Sequence, residues 1–477
     1  MKPGSIFFYS SSLFLIGVFL ASVFQEWGSR FWIIIGITLL LGALFLLLGR
    51  YWMAALSIFL VIGYGHVVIV DQFRLSSNLP VGQKAELTGF VAKAEQGMES
   101  QELIMAIRES YNGRLKIFTS KYPAYKYGDV LKIDGKVEEI PEEYKNSYLK
   151  NGIVARMRNP KITPTGENEG FWLKRGLFSI RDFVRDSFYK VLSPERAAFL
   201  SGLILGDTSG FTKEFREKLS LTGTSHLVAL SGYNVAIIID AIGLALAGRV
   251  SRRTFFVLTV VIILGFVVMT GAEASVVRAA IMASLLLLAN QIGRIHNFRN
   301  ALALAALLMV LANPRVLVWD IGFQLSFAAL LGIVYLAPAL RKLVRAKEEP
   351  GILNWRQNLF ATLSAQLAVL PILLSSFGTV SAMGLLTNML LLSAIPLTMF
   401  FGFMVAFAAV ISGWLAQALA WLVSILLTYE LTVIDWFSKL GGVFEVVNFN
   451  WFYGVLYWAA LIGLVYYAEQ KFQSKKV

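Results

Sequence analysis

The stretch Phe31-Trp-Ile-Ile-Ile-Gly-Ile-Thr-Leu-Leu-Leu-Gly-Ala-Leu-Phe-Leu-Leu-Leu48 carries no charge and a single hydroxyl, that of Thr38. Wound as a helix it rises about 27 Å at 1.5 Å per residue, close to the roughly 30 Å of hydrocarbon in a bilayer. A helix that is apolar on every side is buried in a protein core or in lipid. Similar runs flank it at 6–24, behind Lys2, and at 52–70. The first has the basic start and apolar body of a cleaved signal peptide. Because two further apolar runs follow, it is read as a retained span. Across the 477 residues 57% are hydrophobic and only 15% charged, with a mean hydropathy of +0.65. These proportions place the chain in the membrane class rather than among soluble globular domains.

Farther along, apolar stretches recur at 226–248, 254–271, 276–293, 300–312, 321–340, 357–376, 382–411, 414–436 and 451–470. With the first three they predict about 12 spans in a polytopic α-helical membrane protein. Two are irregular: 300–312 is short for a crossing, and Pro396 splits 382–411 by removing a backbone donor. Basic residues gather at Lys2, Arg50, 249–253, 294–299, 341–356 and 471–476. Placing every basic joint inside gives one threading with both termini cytoplasmic. The formal charge of +13 is then what any polytopic protein carries, and is weak evidence for nucleic acid. The absence of cysteine excludes a disulfide framework and a thiolate metal site.

The insertion at 71–195 changes character. Alternating segments at 85–91, 115–118 and 130–137 lie between turn signals such as Tyr127-Gly128-Asp129 and Asp134-Gly135. This predicts a small extracytoplasmic β domain over 78–166, after N-terminal transmembrane helices at 1–72. An OB-like β-barrel matches its size, because short strands must close to remove their edges; another small barrel or a sandwich fits as well. Over 170–195, Leu173, Leu177, Ile180, Val184 and Phe188 recur at helical spacing among basic residues. Such a helix lies in the membrane interface or packs on the β domain. The remainder, 196–470, forms the main transmembrane domain.

Within it, 196–206 is too short to cross and too apolar for a loop, and it breaks at Gly206-Asp207-Thr-Ser-Gly210. That predicts a re-entrant segment, tolerated only where protein or a water-filled cavity covers its backbone. A polar helix with Lys213, Glu214, Arg216, Glu217 and Lys218 follows, then Ser225-His226-Leu-Val-Ala-Leu-Ser231-Gly232-Tyr-Asn234.

These blocks closely resemble the signature of the ComEC family of competence proteins, inner-membrane channels that pass single-stranded DNA into bacteria during natural transformation. Thr270-Gly271-Ala272, Ser275-Val-Val-Arg278-Ala-Ala-Ile-Met282, Asn313-Pro314, Gly322-Phe-Gln324-Leu-Ser326-Phe and Leu363-Ser-Ala-Gln366 leading to Pro371 follow in the family's order. Tyr127-Gly-Asp-Val-Leu-Lys-Ile-Asp-Gly135 and Tyr148-Leu-Lys-Asn-Gly152-Ile resemble its OB-like region. Tyr233-Asn234 stands where members often have Leu-His, so a role resting on that histidine does not transfer. Long members end in a metallo-β-lactamase-like domain. Here the three histidines, His66, His226 and His296, are scattered, so the expectation is a short form with no nuclease, no catalytic metal and no cofactor.

The resemblance implies a translocation path for single-stranded DNA. A polyanion cannot cross hydrocarbon bare, so the path needs polar groups inside the bundle. The candidates are Asp207, His226, Ser231, Asn234, Asp240, Glu273, Arg278, Gln324, Ser326 and Gln366. The competing readings are a structural Glu273–Arg278 pair, helix-to-helix hydrogen bonds from Gln324 and Gln366, a helix cap at His226, and an ordinary turn at Asp207. In the β domain Arg114, Lys116, Lys121, Tyr122, Tyr125, Lys126, Tyr127 and Lys132 are candidate DNA contacts, with charge on phosphates and rings on bases; a solvated basic face over an aromatic core is the alternative. No phosphate-binding loop motif is present. The resemblance therefore implies a receptor for DNA outside and a motor or DNA-binding proteins inside, besides membrane lipids; homo-oligomerisation is left open. The runner-up functions are transport of a small solute or lipid precursor and a membrane scaffold.

Overall fold

The computed structural model describes residues 3–23, 31–49, 51–97, 99–108, 111–246, 248–292, 297–345, 355–446 and 449–473. The basic positions Lys2, Arg50, Arg294, Lys347, Lys475 and Lys476 lie outside them. The chain packs as two compact units, Met1–Ser179 with Leu246–Asp320, and Ile180–Ala245 with Ile321–Val477.

Among the described residues, eight helices are long and apolar enough to cross a membrane: Gly4–Val23, Ala54–Arg74, Arg252–Met269 and Ala274–Gln291 in the first unit, and Ile321–Val344, Arg356–Phe377, Gly413–Lys439 and Trp451–Lys471 in the second. A ninth is counted if Gly384–Leu391 and Ile395–Ile411, bent by 51° at their break, form one span. That falls short of the 12 spans expected. Helices Phe31–Leu47, Gly232–Leu246 and Phe298–Ala312 are apolar but shorter, rising about 23–26 Å at 1.5 Å per residue, at or below the lower end of the roughly 17–25 residues that cross a bilayer. Pro396 sits at the start of Ile395–Ile411, where its missing N–H costs nothing.

In the first unit, Pro3–Val23 packs on Ile58–Arg74 through two glycines. A Cβ on Gly17 would strike the Leu60 carbonyl, and one on Gly63 would strike that of Phe14. Small residues let membrane helices approach backbone to backbone, where packing replaces the hydrophobic drive available in water.

The β domain holds six strands: β1 (Lys84–Gln96), β2 (Ser100–Arg108), β3 (Gly113–Ser120), β4 (Asp129–Lys136), β5 (Ile153–Arg158) and β6 (Lys161–Asn168). Their order is β5-β3-β2-β1-β4-β6, antiparallel except for β3–β5. The long β1 pairs with both β2 and β4, and a register shift between Val91 and Lys93 lets it bend. Alternate residues Leu103, Met105, Ile107, Leu115 and Ile117 point into one core. The closed OB-like barrel expected from strand spacing is not formed. β6 takes the free edge of β4, and β4 meets β5 through one antiparallel bridge beyond its end, Glu138 with Arg156.

This domain is fastened to the membrane helices of its own unit by charge. Lys150 of the domain pairs with Asp320 at 2.9 Å, and Arg315, 4% exposed, ties the same 313–320 segment to the end of membrane helix Ile58–Arg74 by a bidentate pair with Asp71, both contacts at 2.9 Å. Asn313 Nδ2 also donates to the Lys150 carbonyl at 3.1 Å. Breaking one partner of such a buried pair leaves an uncompensated charge, which costs more than the pair contributes.

The glycine contact makes a matched test. Gly63→Val should lower the thermal midpoint of the purified protein in detergent, with a cost of about 1–3 kcal/mol from overpacking. Gly65→Val, on the same helix with nothing within 4 Å, should leave the midpoint nearly unchanged. Equal midpoints would refute the close approach.

Candidate functional site

The second unit is organised around Pro194–Leu205, a helix of 12 residues in which every residue from Ala197 to Leu205 is buried. At about 18 Å it cannot cross a bilayer. Pro194 opens it, and Gly206, at φ 70°, closes it in the left-handed conformation with its N–H on the Gly202 carbonyl at 3.0 Å. It lies against Ile395–Ile411, where a Cβ on Gly402 would collide with Ile204 and Leu200. Arg196 at its start donates to Ser424 Oγ at 3.0 Å.

The chain then turns on Asp207. Its Oδ1 accepts the Ser209 N–H at 3.0 Å, and its Oδ2 lies 3.7 Å from the Arg185 guanidinium. Arg185 also faces Asp182 at 3.5 Å and Asp186 at 3.0 Å. Burial alone would lower its pKa, but Asp182, Asp186 and Asp207 outweigh burial and raise it. Tyr189 covers the turn so closely that a Cβ on Gly210 would meet its hydroxyl. Burial and the charge of Asp207 push that phenol upward. Thr212 then caps Lys213–Leu221 by accepting the Phe215 N–H at 3.1 Å.

A helix that ends inside protein leaves its last carbonyls to be satisfied. Asn234, 3% exposed, supplies one answer: its Nδ2 donates to the Leu203 carbonyl at 2.7 Å. Its Oδ1 accepts both the N–H and the hydroxyl of Ser231 at 3.2 Å. The Ser231-Gly-Tyr-Asn234 turn thus pins the start of Gly232–Leu246 to the end of the short helix. Just before it, Thr222 and Thr224 are fully buried with their hydroxyls 2.7 Å apart. Gly223 between them has φ 64° and a Cβ position 3.1 Å from Gly384 Cα, so no side chain fits. His226 Nδ1 lies 3.1 Å from the Gly223 carbonyl, on the exposed side of a four-residue helix. Lys218 joins Glu214 and Asp435, each at 2.9 Å, and hydrogen bonds to the two carboxylates raise its pKa.

The remaining expected lining residues are distributed as follows. Asp240 is exposed on Gly232–Leu246, and Gln324 and Ser326 are half-buried on Ile321–Leu331. Gln366 is half-buried with its Nε2 against Gly384. These belong to the second unit, whereas Glu273, exposed at the start of Ala274–Gln291, and Arg278, half-buried in that helix, belong to the first. Sequence reasoning missed Arg185, Arg196, the threonine pair and Glu430. Glu430 is the clearest omission, since an acid inside the apolar run 414–436 is itself a signal.

In the β domain the expected DNA contacts divide sharply. Lys116 pairs with Glu102 at 2.6 Å and Lys132 with Glu86 at 2.9 Å, both across strands. Arg114 donates to the Asn151 carbonyl at 3.2 Å. Tyr125 is in the core, held by Gln101, whose amide also gathers the carbonyls of Ser120, Lys121 and Pro123. Tyr127 accepts the Phe171 N–H at 3.1 Å and lies beneath Lys174 at 4.4 Å. Lys121, Tyr122 and Lys126 remain at the surface of the β3–β4 loop, with Tyr122 73% exposed and Lys121 over its ring.

Comparison with known proteins places this architecture. The family described as "Competence protein" matches residues 203–471. The chain is 28% identical over 231 residues to ComE operon protein 3 of Bacillus subtilis (strain 168), an alignment covering 48% of this chain and 28% of that protein. No solved structure matches. The family match takes in more than half of the chain, including the short helix's break, the Asn234 turn and the 322–327 block, and the protein therefore belongs to the competence protein family, of the ComEC type.

Proposed function

We propose that this protein is the membrane conduit through which single-stranded DNA reaches the cytoplasm during competence. Family membership supports a role in DNA uptake. The observation that carries the conduit reading is the end of the Pro194–Leu205 helix. A backbone end, the Asp207 carboxylate, the Arg185 guanidinium and the Ser231–Asn234 turn meet there, in a unit whose long helices are apolar. Non-helical backbone at membrane depth is stable only where protein or a water-filled cavity covers it. A strand of phosphates requires such a polar lining, because each bare charge in hydrocarbon incurs a large desolvation cost. Arg185, neutralised by three carboxylates, offers a phosphate a cation only in exchange for one of them. That makes contact transient, as passage demands.

In this reading both termini are cytoplasmic, the β domain faces outward, and the β3–β4 loop touches the strand first. Tyr122 offers a ring for stacking and Lys121 and Lys126 offer charge, a combination that holds single strands without reading sequence. The chain moves the strand and changes no bond, and the driving force comes from a cytoplasmic partner.

Two measurements test the proposal. In a competent host lacking the protein, labelled DNA should still bind the surface while nuclease-protected internal DNA disappears; unchanged internal DNA would contradict the conduit. For the purified full chain in detergent, Lys121→Ala with Lys126→Ala should flatten the plot of log K against log salt for a single-stranded oligonucleotide. The expected change in slope is about 1.4, at roughly 0.7 per phosphate contact. An unchanged slope would remove the loop from the path.

A further inference from the structure

The second unit buries an acid for which the conduit has no use. Glu430 lies in Gly413–Lys439, with about 13 Å of helix between it and Lys439, and its side chain is 0% exposed. Oε1 accepts the Thr398 hydroxyl at 2.6 Å, and Thr398 is itself fully buried. Oε2 is enclosed and has no hydrogen-bond partner. Tyr429 donates to the Leu390 carbonyl at 3.3 Å, which brings this turn beside the end of Gly384–Leu391. That short helix buries Asn388, whose Oδ1 also lacks a partner. Thr398 stands just beyond the 51° break between Gly384–Leu391 and Ile395–Ile411.

The charged groups around Glu430 are engaged elsewhere. Gly384–Leu391 and Ile395–Ile411 contain no titratable residue. From Pro194–Leu205 come Glu195 and Arg196, and Arg196 is spent on Ser424. From Lys213–Leu221 comes Lys218, held by Glu214 and Asp435. On its own helix the neighbours are Tyr429, Asp435 and Lys439, the last two paired with each other at 2.6 Å. Among the described residues no cation lies within ion-pair distance of Glu430.

An ionised carboxylate enclosed without a cation costs several kcal/mol, whereas the neutral acid is tolerated. Oε2, with no hydrogen-bond partner, is the oxygen open to carry the proton of such an acid. We propose that Glu430 is a proton-binding site in the membrane interior, loaded while Thr398 is in contact and emptied when the bent helix pair parts and admits water. On emptying, the O–H bond breaks, the proton passes to water and the electron pair stays on the carboxylate. A break between helices is where such parting is absorbed. Conformation and proton binding are thereby coupled, whichever solute the protein passes.

Dicyclohexylcarbodiimide tests this, because it adds the O–H of a protonated acid across its C=N bond and leaves an ionised carboxylate untouched. The full chain in membrane vesicles is treated at about pH 7 and at successively higher pH, and the adduct on the 413–439 peptide is read by mass spectrometry. The expected result is an adduct on Glu430 that disappears as pH rises and is lost completely in Glu430→Gln. That variant copies the neutral acid in shape and should fold. Thr398→Val should change the labelling at fixed pH. Val410→Glu, at a position 69% exposed, reports that the reagent reaches the membrane. Labelling of that control with none on Glu430 would overturn the proposal. So would Glu430 labelling that does not vary with pH, which marks a permanently neutral structural acid.

Discussion

The hydrogen bond from Asn234 Nδ2 to the Leu203 carbonyl is the contact on which the second unit turns. A helix may stop inside a membrane protein only if its last carbonyls find donors, since lipid offers none. Gly206 satisfies one by turning left-handed, and Asn234 reaches another from across the unit. Once that end is closed, the chain can leave the helix through Asp207, restart at Thr212 and return through the buried threonine pair. The same amide is oriented by Ser231, so one side chain fixes both the end of one helix and the beginning of the next. Polar groups are thereby gathered where an apolar bundle would otherwise have none.

The first unit solves a different problem, that of holding a water-facing sheet on membrane helices. Its solution is polar: Lys150 pairs with Asp320 and its carbonyl accepts from Asn313, while Arg315 on Asp71 ties that same 313–320 segment to membrane helix Ile58–Arg74. Arg315 is almost wholly enclosed, which is why the guanidinium uses two nitrogens on two carboxylate oxygens rather than one diffuse contact. The β domain meets this segment through the short helix Lys145–Lys150, leaving the β3–β4 loop at the surface.

How much of this could be read beforehand depended on the range of the interaction. The apolar runs were legible because a span is a local property of composition. The number of spans was not, because a difference of a few residues at helix ends separates a crossing from a short helix such as Phe298–Ala312. Alternation marked 85–91, 115–118 and 130–137, which lie in strands except for Val137, one residue past β4, but closure depends on which strand takes the free edge of β4. The basic and aromatic cluster looked uniform in sequence. Only pairing across strands commits Lys116 to Glu102 and Lys132 to Glu86, and only packing puts Tyr125 in the core. The break at Gly206–Asp207 was visible, whereas Arg185, its ionic partner, lay in a helix read as interfacial. Glu430 was visible by the rule that singled out Arg278, and was passed over in a long apolar run.

The most direct test of the central claim is photocrosslinking to DNA in transit. A photoreactive residue is placed at Ser209, beside the Asp207 turn, or at Trp421, 74% exposed on the outside of its helix, and competent cells are illuminated while taking up labelled DNA. The account predicts a DNA adduct from position 209 and none from 421. Uptake that proceeds with no adduct at 209, or with equal adducts at both, would contradict it.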